Sequence, residues 1–342
     1  MTETILCGDA LEKLRTLKSE SVHMCVTSPP YFSLRDYGID GQIGLEETPS
    51  DYISKLVKVF REVRRVLRHD GTLWLNIGDS YCTPSTGRCD NSSSRLGGGK
   101  ATQAEAQKRP NKRPTGDIKT KDLIGIPWML AFALRADGWY LRQDIIWNKS
   151  NCMPESVRDR CTKSHEYIFL LSKSARYYFD AAAISEPIAG SSTKRYLQNL
   201  EKQRGSDRQP GKTNGTMKAA LPRFGGEKYG ENPAEEARTK SGEAYVPTLR
   251  RNKRDVWTVS TSGFRGAHFA VFPEKLIEPC IFAGCPEGGT VLDPFAGSGT
   301  TGVVAKKHGR NFIGIELNPE YRDMAIARIN ATERDMEQLQ II

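Results

Sequence analysis

Thr290-Val291-Leu292-Asp293-Pro294-Phe295-Ala296-Gly297-Ser298-Gly299-Thr300-Thr301-Gly302 reads as a strand, a glycine turn and the first turn of a helix. A buried strand that feeds a glycine loop and then a helix is the opening of a βαβ unit, and such units build parallel sheets with helices on both faces. Gly297, Gly299 and Gly302 match the spacing G-x-G-x-x-G, and Glu316 stands 19 residues beyond Gly297. There an acidic side chain at the end of the next strand, residues 312–317, would meet ribose hydroxyls.

The ligand of this loop is not a dinucleotide. Asp293 sets a carboxylate beside the loop, which suits a cationic amino-acid moiety better than a pyrophosphate. Only 26 residues follow Glu316, too few for the second half of a dinucleotide fold. No Gly-Lys-Ser/Thr follows at the offset of a phosphate-binding P-loop. A small ligand carrying adenine, ribose and a charged amino acid fits. Gly297 and Gly299 then let the backbone approach its amino-acid end, Glu316 accepts from the ribose, and Asp9 accepts from the adenine amine or simply caps a helix.

Working outward, the same alternation fills the rest of the chain. Strands are predicted at residues 5–7, 22–26, 72–77, 140–148 and 166–172, besides the two around the glycine loop. Helices are predicted at 10–17, at 127–136, at 273–283, from Thr300 to Lys307 and at 319–329. A further helix is capped by Ser50, carries Ile53, Leu56, Val57, Phe60, Val63, Val66 and Leu67 on one face, and stops at Asp70-Gly71. In such sheets ligands lie beyond the carboxyl ends of the strands. Gly8-Asp9, Thr27 to Tyr31, Asp293 to Gly299 and Glu316 are therefore expected to converge on one crevice.

Ser28-Pro29-Pro30-Tyr31, at one of those strand ends, carries chemistry. An exocyclic base nitrogen is a poor nucleophile because its lone pair is delocalised into the ring. A site that accepts its protons in hydrogen bonds makes it more tetrahedral. The Ser28 hydroxyl and the Pro29 carbonyl have the acceptor character to do so, and consecutive prolines fix the carbonyl's direction. Tyr31 offers an aromatic face to a base drawn out of a duplex.

Charge points to the same substrate. The 342 residues carry a formal net charge of +9, yet residues 82–121 alone are net +6 and residues 194–254 net +8, so the remainder is acidic. Both basic stretches are rich in Gly, Ser, Asn and Pro, poor in apolar periodicity, and suited to phosphate contact. No run approaches the ~20 apolar residues of a membrane span, and no secretion signal is seen at Met1, which points to the cytoplasm. The eight cysteines lack the spacing of a zinc site, and no metal is expected.

With these motifs in place, the chain resembles the amino-group DNA methyltransferases of the β motif order. In that family a TSPPY-type block precedes the target-recognition region and the cofactor loop comes last. The resemblance runs through residues 8–10, 27–31, 71–79, 268–275 (HFAVFPEK), 293–301 and 314–318, most of the chain outside the basic inserts. It implies an α/β fold, the mainly parallel seven-stranded sheet of class I S-adenosylmethionine-dependent methyltransferases, in circularly permuted motif order with inserted basic DNA-recognition segments. The implied cofactor is S-adenosylmethionine. Asp9, Ala10, Thr27, Asp293, Pro294, Phe295, Gly297, Ser298, Gly299, Thr300, Glu316, Leu317 and Asn318 are its candidate contacts, with Phe272, Pro273 and Lys275 near the methionine moiety.

The family likeness also divides the chain: residues 1–81 as the catalytic half, 82–121 as a basic insert, 122–180 as further catalytic strands, 181–256 as target recognition, and 257–342 as the cofactor half. Serine at the first tetrapeptide position goes mostly with N4 of cytosine in the family, and Asp or Asn with N6 of adenine. Methylation of cytosine carbon 5 is not expected, because Cys280 belongs to an apolar helix. Arg250, Arg251, Lys253 and Arg254 are candidate contacts to double-stranded DNA. A companion restriction endonuclease and a bacterial or phage origin go with the resemblance, whereas the oligomeric state, monomer or homodimer, is open. The competing readings are a nicotinamide-dependent oxidoreductase, a non-catalytic DNA-binding protein of the same fold, and a methyltransferase for RNA or protein glutamine.

Overall fold

Val22–Thr27 forms strand β2 in the interior of an eight-stranded sheet, with five of its six residues buried. The structure, a computed structural model, describes residues 2–82, 116–188, 250–261 and 272–339. They form two compact units, Met1–Ala183 with Arg254–Ile342, and Ile184–Lys253.

In the first unit the strands are β1 (Glu3–Cys7), β2, β3 (Leu67–Ile77), β4 (Tyr140–Asn148), β5 (His165–Ser172), β8 (Val256–Thr258), β9 (Thr290–Asp293) and β10 (Asn311–Glu316). Their order across the sheet is β1-β10-β9-β2-β3-β5-β4-β8. From β1 to β3 every neighbour is parallel, β5 runs antiparallel to both β3 and β4, and β8 lies parallel to β4 at the edge. The seven anticipated strands are all present. The eighth, β8, has three residues and no alternation long enough to read; it buries Trp257 against Trp74.

The helices are α1 (Ala10–Thr16), α2 (Pro49–Val66), α3 (Ile126–Ala136), α4 (Glu274–Gly284), α5 (Thr300–Lys307) and α6 (Pro319–Leu339). One side of the sheet buries Cys25, Leu73, Leu75 and Leu292 in a single core with Leu14 of α1, Tyr52, Leu56, Phe60 and Val63 of α2, and Leu130 and Leu134 of α3. The intervening strand residues Met24, Val26 and Trp74 point the other way, where α4 packs on β2 and β3 with Leu276, Ile277 and Cys280 buried. This alternation is the period of two expected of strands covered on both faces.

Two boundaries differ from the sequence reading. Thr48, not Ser50, caps α2: its hydroxyl accepts the Asp51 N–H at 3.1 Å and Pro49 takes the first turn, where a missing N–H does no harm. At the other end α2 stops at Val66 and the chain turns straight into β3, whose register with β2 shifts between Val22 and Met24. Asp70-Gly71 thus falls within β3 near this irregularity rather than after a helix. A Cβ at Gly71 would lie 3.0 Å from the His23 carbonyl oxygen, so this close strand approach requires glycine.

In the second unit, β6 (Glu186–Pro187) pairs antiparallel with β7 (Arg250–Arg251). Most of the second basic stretch, residues 189–249, lies outside the described residues, as do residues 83–115 of the first.

Candidate active site

Because β2 and β9 are parallel neighbours, with Met24 opposite Val291 and Cys25 opposite Leu292, the tetrapeptide and the glycine loop leave the sheet at the same edge. They line one cavity of about 810 Å³. The ends of β1 and β10 reach it as well. Since β5 is antiparallel, its beginning, not its end, arrives there, beside the end of β4.

One limb of the cavity is lined by Gly8, Asp9, Ala10, Pro294, Phe295, Ala296, Gly297, Ser298, Thr300, Ile315, Glu316, Leu317 and Asn318. Glu316 organises it. One carboxylate oxygen accepts the Gly297 N–H at 2.8 Å and the other accepts the Asn318 N–H at 2.8 Å. Burial raises the Glu316 pKa while these donors oppose the rise. A carboxylate has about four acceptor positions, so two remain for a ligand's vicinal hydroxyls. Asp9 uses one oxygen to accept the Glu12 N–H at 2.9 Å, capping α1, and still lines the cavity. With apolar surface from Phe295, Ile315 and Leu317 beside carboxylates that accept from hydroxyls and an amine, this limb fits an adenosyl group. Tyr37, packed edge-on against Tyr321 at 6.5 Å, adds an aromatic wall.

Asp293 has a different position from the one expected. Its side chain is 1% exposed and does not line the cavity. One oxygen accepts the Thr27 hydroxyl at 2.5 Å and the Phe295 N–H at 3.1 Å; the other accepts the Thr301 hydroxyl at 2.7 Å. Burial pushes its pKa up to about 6 despite these donors. The carboxylate therefore does not face a cationic ligand moiety; it ties β2, the loop and α5 together. Thr27 is likewise fully buried behind the wall.

Gly299 is also absent from the lining. Its φ is +78°, and a Cβ there would lie 2.8 Å from Ala325 Cβ of α6, so this glycine serves helix packing. Of the 268–275 segment, residues 268–271 lie outside the described residues. Phe272 lines the cavity, Pro273 is buried beside it without lining it, and Lys275 is exposed away from it.

The other limb contains Ser28, Pro29, Pro30 and Tyr31 with Asn76, Trp147, Lys149, Met153, Glu166 and Thr261. Tyr52 of α2 donates to the Pro30 carbonyl at 2.8 Å, fixing the second peptide of the tetrapeptide. Tyr31 Oη lies 2.7 Å from Glu166 Oε2, 3.2 Å from Asn76 Oδ1 and 3.4 Å from Ser28 Oγ. Burial first, and the Glu166 charge second, hold the Tyr31 phenol well above its ordinary pKa. Glu166 is ion-paired with Lys149, whose ammonium also sits 4.4 Å from the centre of the Trp147 ring. A Cβ at Gly78 would lie 2.7 Å from the Tyr31 ring, so glycine there lets the ring settle against β3's end.

Glu166, Lys149 and Asn76 are not singled out by the sequence. Each stands alone at a strand end with no motif spacing. The usable signal is the strand assignment itself, since a charged residue at the start of an otherwise apolar strand, as in HEYIFLL, marks a strand end that meets solvent or a site.

Three of the basic candidates belong to the second unit, where Arg251 and Lys253 both pair with Glu186, and Arg250 Nε donates to the Ser185 hydroxyl at 2.6 Å. Arg254 belongs to the first unit and is exposed. Among the described residues no cluster of three or more His, Cys, Asp or Glu is placed to hold a metal, and no helix is long and apolar enough to cross a membrane.

A profile of the N6/N4 family, described as DNA methylase, matches residues 22–327. The chain is 44% identical over 334 residues to the Type II methyltransferase M.Cfr9I of Citrobacter freundii, covering 97% of this chain and 89% of the relative. It is 45% identical over 325 residues to the Type II methyltransferase M.SmaI of Serratia marcescens, covering 95% and 90%. Among solved structures the fold is similar to PvuII DNA methyltransferase (cytosine-N4-specific), with a TM-score of 0.57 and 17% identity over 96% of this chain and 86% of that one. It is similar also to the DNA modification methylase TTHA0409 of Thermus thermophilus complexed with S-adenosyl-L-methionine, with a TM-score of 0.52 and 22% identity over 96% and 95%. These two likenesses bear on the fold, that of the class I methyltransferases.

Proposed function

The chain belongs to the N6/N4 family of DNA methylases, S-adenosylmethionine-dependent enzymes that act on DNA, and on that premise we propose that it methylates the exocyclic N4 of cytosine in double-stranded DNA. The observation that carries this reading is Ser28, a neutral hydroxyl at the first tetrapeptide position, lining the same cavity as the Gly297 loop.

When bound, S-adenosylmethionine supplies a methyl group on a sulfonium, whose C–S bond breaks toward sulfur as the amine nitrogen takes the methyl. The protein's part is to hold, orient and polarise. Glu316 and Asp9 offer acceptors to ribose hydroxyls and the adenine amine. The Gly297 loop shapes the amino-acid end. Ser28 Oγ and the Pro29 carbonyl accept the protons of the target amine, which draws its lone pair out of the ring and toward the methyl. Tyr31 and Trp147 give aromatic surface to a base extruded from the duplex. A sheet edge where both limbs share one cavity holds donor and acceptor within reach, and proximity of this kind removes much of the barrier.

Target recognition is assigned to residues 181–256, with the basic stretch 82–121 assisting, because clustered Lys and Arg gain from releasing counterions at phosphates. The Type II relatives favour a place in a restriction-modification pair, with a companion endonuclease of the same specificity. The deciding experiment incubates the protein with methyl-labelled S-adenosylmethionine and mixed-sequence duplex DNA, then digests the DNA to nucleosides. Label in N4-methyldeoxycytidine is expected. Label in N6-methyldeoxyadenosine instead would overturn the choice of base, and label in neither would overturn DNA amino-methylation.

A further inference from the structure

We infer that Glu166, braced by Lys149, orients the Ser28 hydroxyl as a hydrogen-bond acceptor for the target amine, and is thus a positioning residue for methyl transfer. The inference rests on the reading of Ser28 given above.

A serine hydroxyl has one proton and two lone pairs, so it serves either as donor or as acceptor toward a ligand according to where its proton goes. An amine about to be methylated needs acceptors. If the Ser28 proton pointed into the cavity, it would repel the amine's N–H groups. In the structure that proton has another destination, because Ser28 Oγ donates to Tyr31 Oη at 3.4 Å.

For Tyr31 to accept, its own proton must leave in another direction. It is drawn to Glu166 Oε2, 2.7 Å away, in preference to Asn76 Oδ1 at 3.2 Å, since a hydrogen bond to a carboxylate is roughly twice as strong as one to a neutral acceptor. Asn76 is itself oriented. Its amide nitrogen donates to the Tyr167 carbonyl at 3.1 Å and to Glu166 Oε2 at 3.3 Å, which leaves its oxygen toward Tyr31. The Tyr31 phenol keeps its proton because burial and the nearby carboxylate both oppose the phenolate.

The series ends in charge. Lys149 pairs with the second Glu166 oxygen, and it is held there by the Trp147 ring below its ammonium. The Trp147 indole is anchored in turn by donating to the Val259 carbonyl at 2.8 Å. Strand pairing places the two charged residues side by side. Asn148 lies opposite His165, and the Lys149 N–H donates to the Ser164 carbonyl at 2.8 Å. The hydroxyls of Ser28 and Tyr31 therefore align in one sense, donating toward Glu166, and the Ser28 lone pairs are left for the cavity.

The test is a mutant cycle read by single-turnover methylation of duplex DNA at saturating S-adenosylmethionine, with cofactor affinity measured separately. E166Q and Y31F should each lower the rate roughly 10- to 100-fold, the range commanded by one hydrogen bond to a charged group. Cofactor affinity should stay within about twofold. Because both changes break one series, E166Q/Y31F should be no slower than the slower single variant, and E166Q added to S28A should have no further effect. Should E166Q lose cofactor binding and so report a fold defect, the S28A/Y31F cycle decides, with the same non-additivity expected. An E166Q enzyme at the wild-type rate, or losses that multiply in the double variants, would overturn the inference. A wild-type protein that methylates no DNA would instead remove the reading beneath it.

Discussion

The Thr27 hydroxyl lies 2.5 Å from Asp293 Oδ1, a hydrogen bond that closes 266 positions of sequence inside the core. It joins the strand that ends in the tetrapeptide to the strand that ends in the glycine loop, one residue before each begins its work. Thr27→Val keeps the shape and removes the donor. A buried carboxylate that loses one of its donors is expected to cost about 1–3 kcal/mol. Denaturant unfolding should show that loss, and because the bond sets both loops, both cofactor affinity and the methylation rate should fall. A variant as stable as the parent would show that the two loops are aligned by the strands alone.

Asp293 also predicts an unusual pH dependence. Its pKa is raised from 3.8 to about 6 in the folded protein, chiefly by burial, so between those values the folded state binds more protons than the unfolded state. Stability from this group is then full below about pH 4 and is lost as pH rises through about 6. The shift amounts to roughly 2–3 kcal/mol. Asp293→Asn removes the charge while keeping an acceptor for Thr27 and Phe295. The stability of the variant relative to the parent should therefore rise between about pH 4 and about pH 7 by an amount of that order. A constant difference across this range, measured by chemical unfolding, contradicts the assignment.

Much of this arrangement is legible in the residues, and what is not has a common cause. The glycine loop and Glu316 can be placed because their spacing is local to one βαβ unit, and Glu316 indeed reaches back to the Gly297 N–H. Ser28 to Tyr31 can be placed because two prolines end a strand abruptly. Asp293 reads as a ligand contact because nothing in its own neighbourhood reveals that Thr27, far away in the chain, claims one oxygen. Glu166 and Lys149 escape notice for the same reason: their partnership is created by antiparallel pairing of β4 with β5, whose register the sequence does not spell out. Local spacing exposes turns and caps, whereas side chains that meet across a sheet are visible only once strand order is known.

Gly299 gives a prediction that separates packing from binding. Alanine there must adopt φ near +78° and set its Cβ 2.8 Å from Ala325 Cβ and 3.0 Å from Ala325 Cα. Both effects oppose folding, and a loss of about 2 kcal/mol or more is expected. Gly299→Ala combined with Ala325→Gly should recover part of that stability by relieving the contact but not the backbone strain. Thermal unfolding of the two variants reads this directly; no recovery in the pair would mean that the left-handed conformation alone requires glycine.

Tyr52 offers the last prediction, because it acts on the tetrapeptide from outside the cavity. It is fully buried in α2, its ring lies 5.5 Å from that of Phe32, and its hydroxyl donates to a backbone acceptor, the Pro30 carbonyl at 2.8 Å. Burial, and to a lesser degree Glu46, hold its phenol far above the ordinary range, so it donates throughout the working pH range. Tyr52→Phe preserves the packing and leaves the Pro30 carbonyl without that partner, at about 1–2 kcal/mol. Since Pro29 and Pro30 share a peptide unit, loosening the second carbonyl lets the first turn away from the line of attack. A several-fold lower single-turnover rate is therefore expected, with cofactor affinity unchanged because Tyr52 does not line the cavity. Equal rates in the two proteins would mean that the proline rings alone fix the carbonyl, and that α2 contributes stability to the tetrapeptide but not its aim.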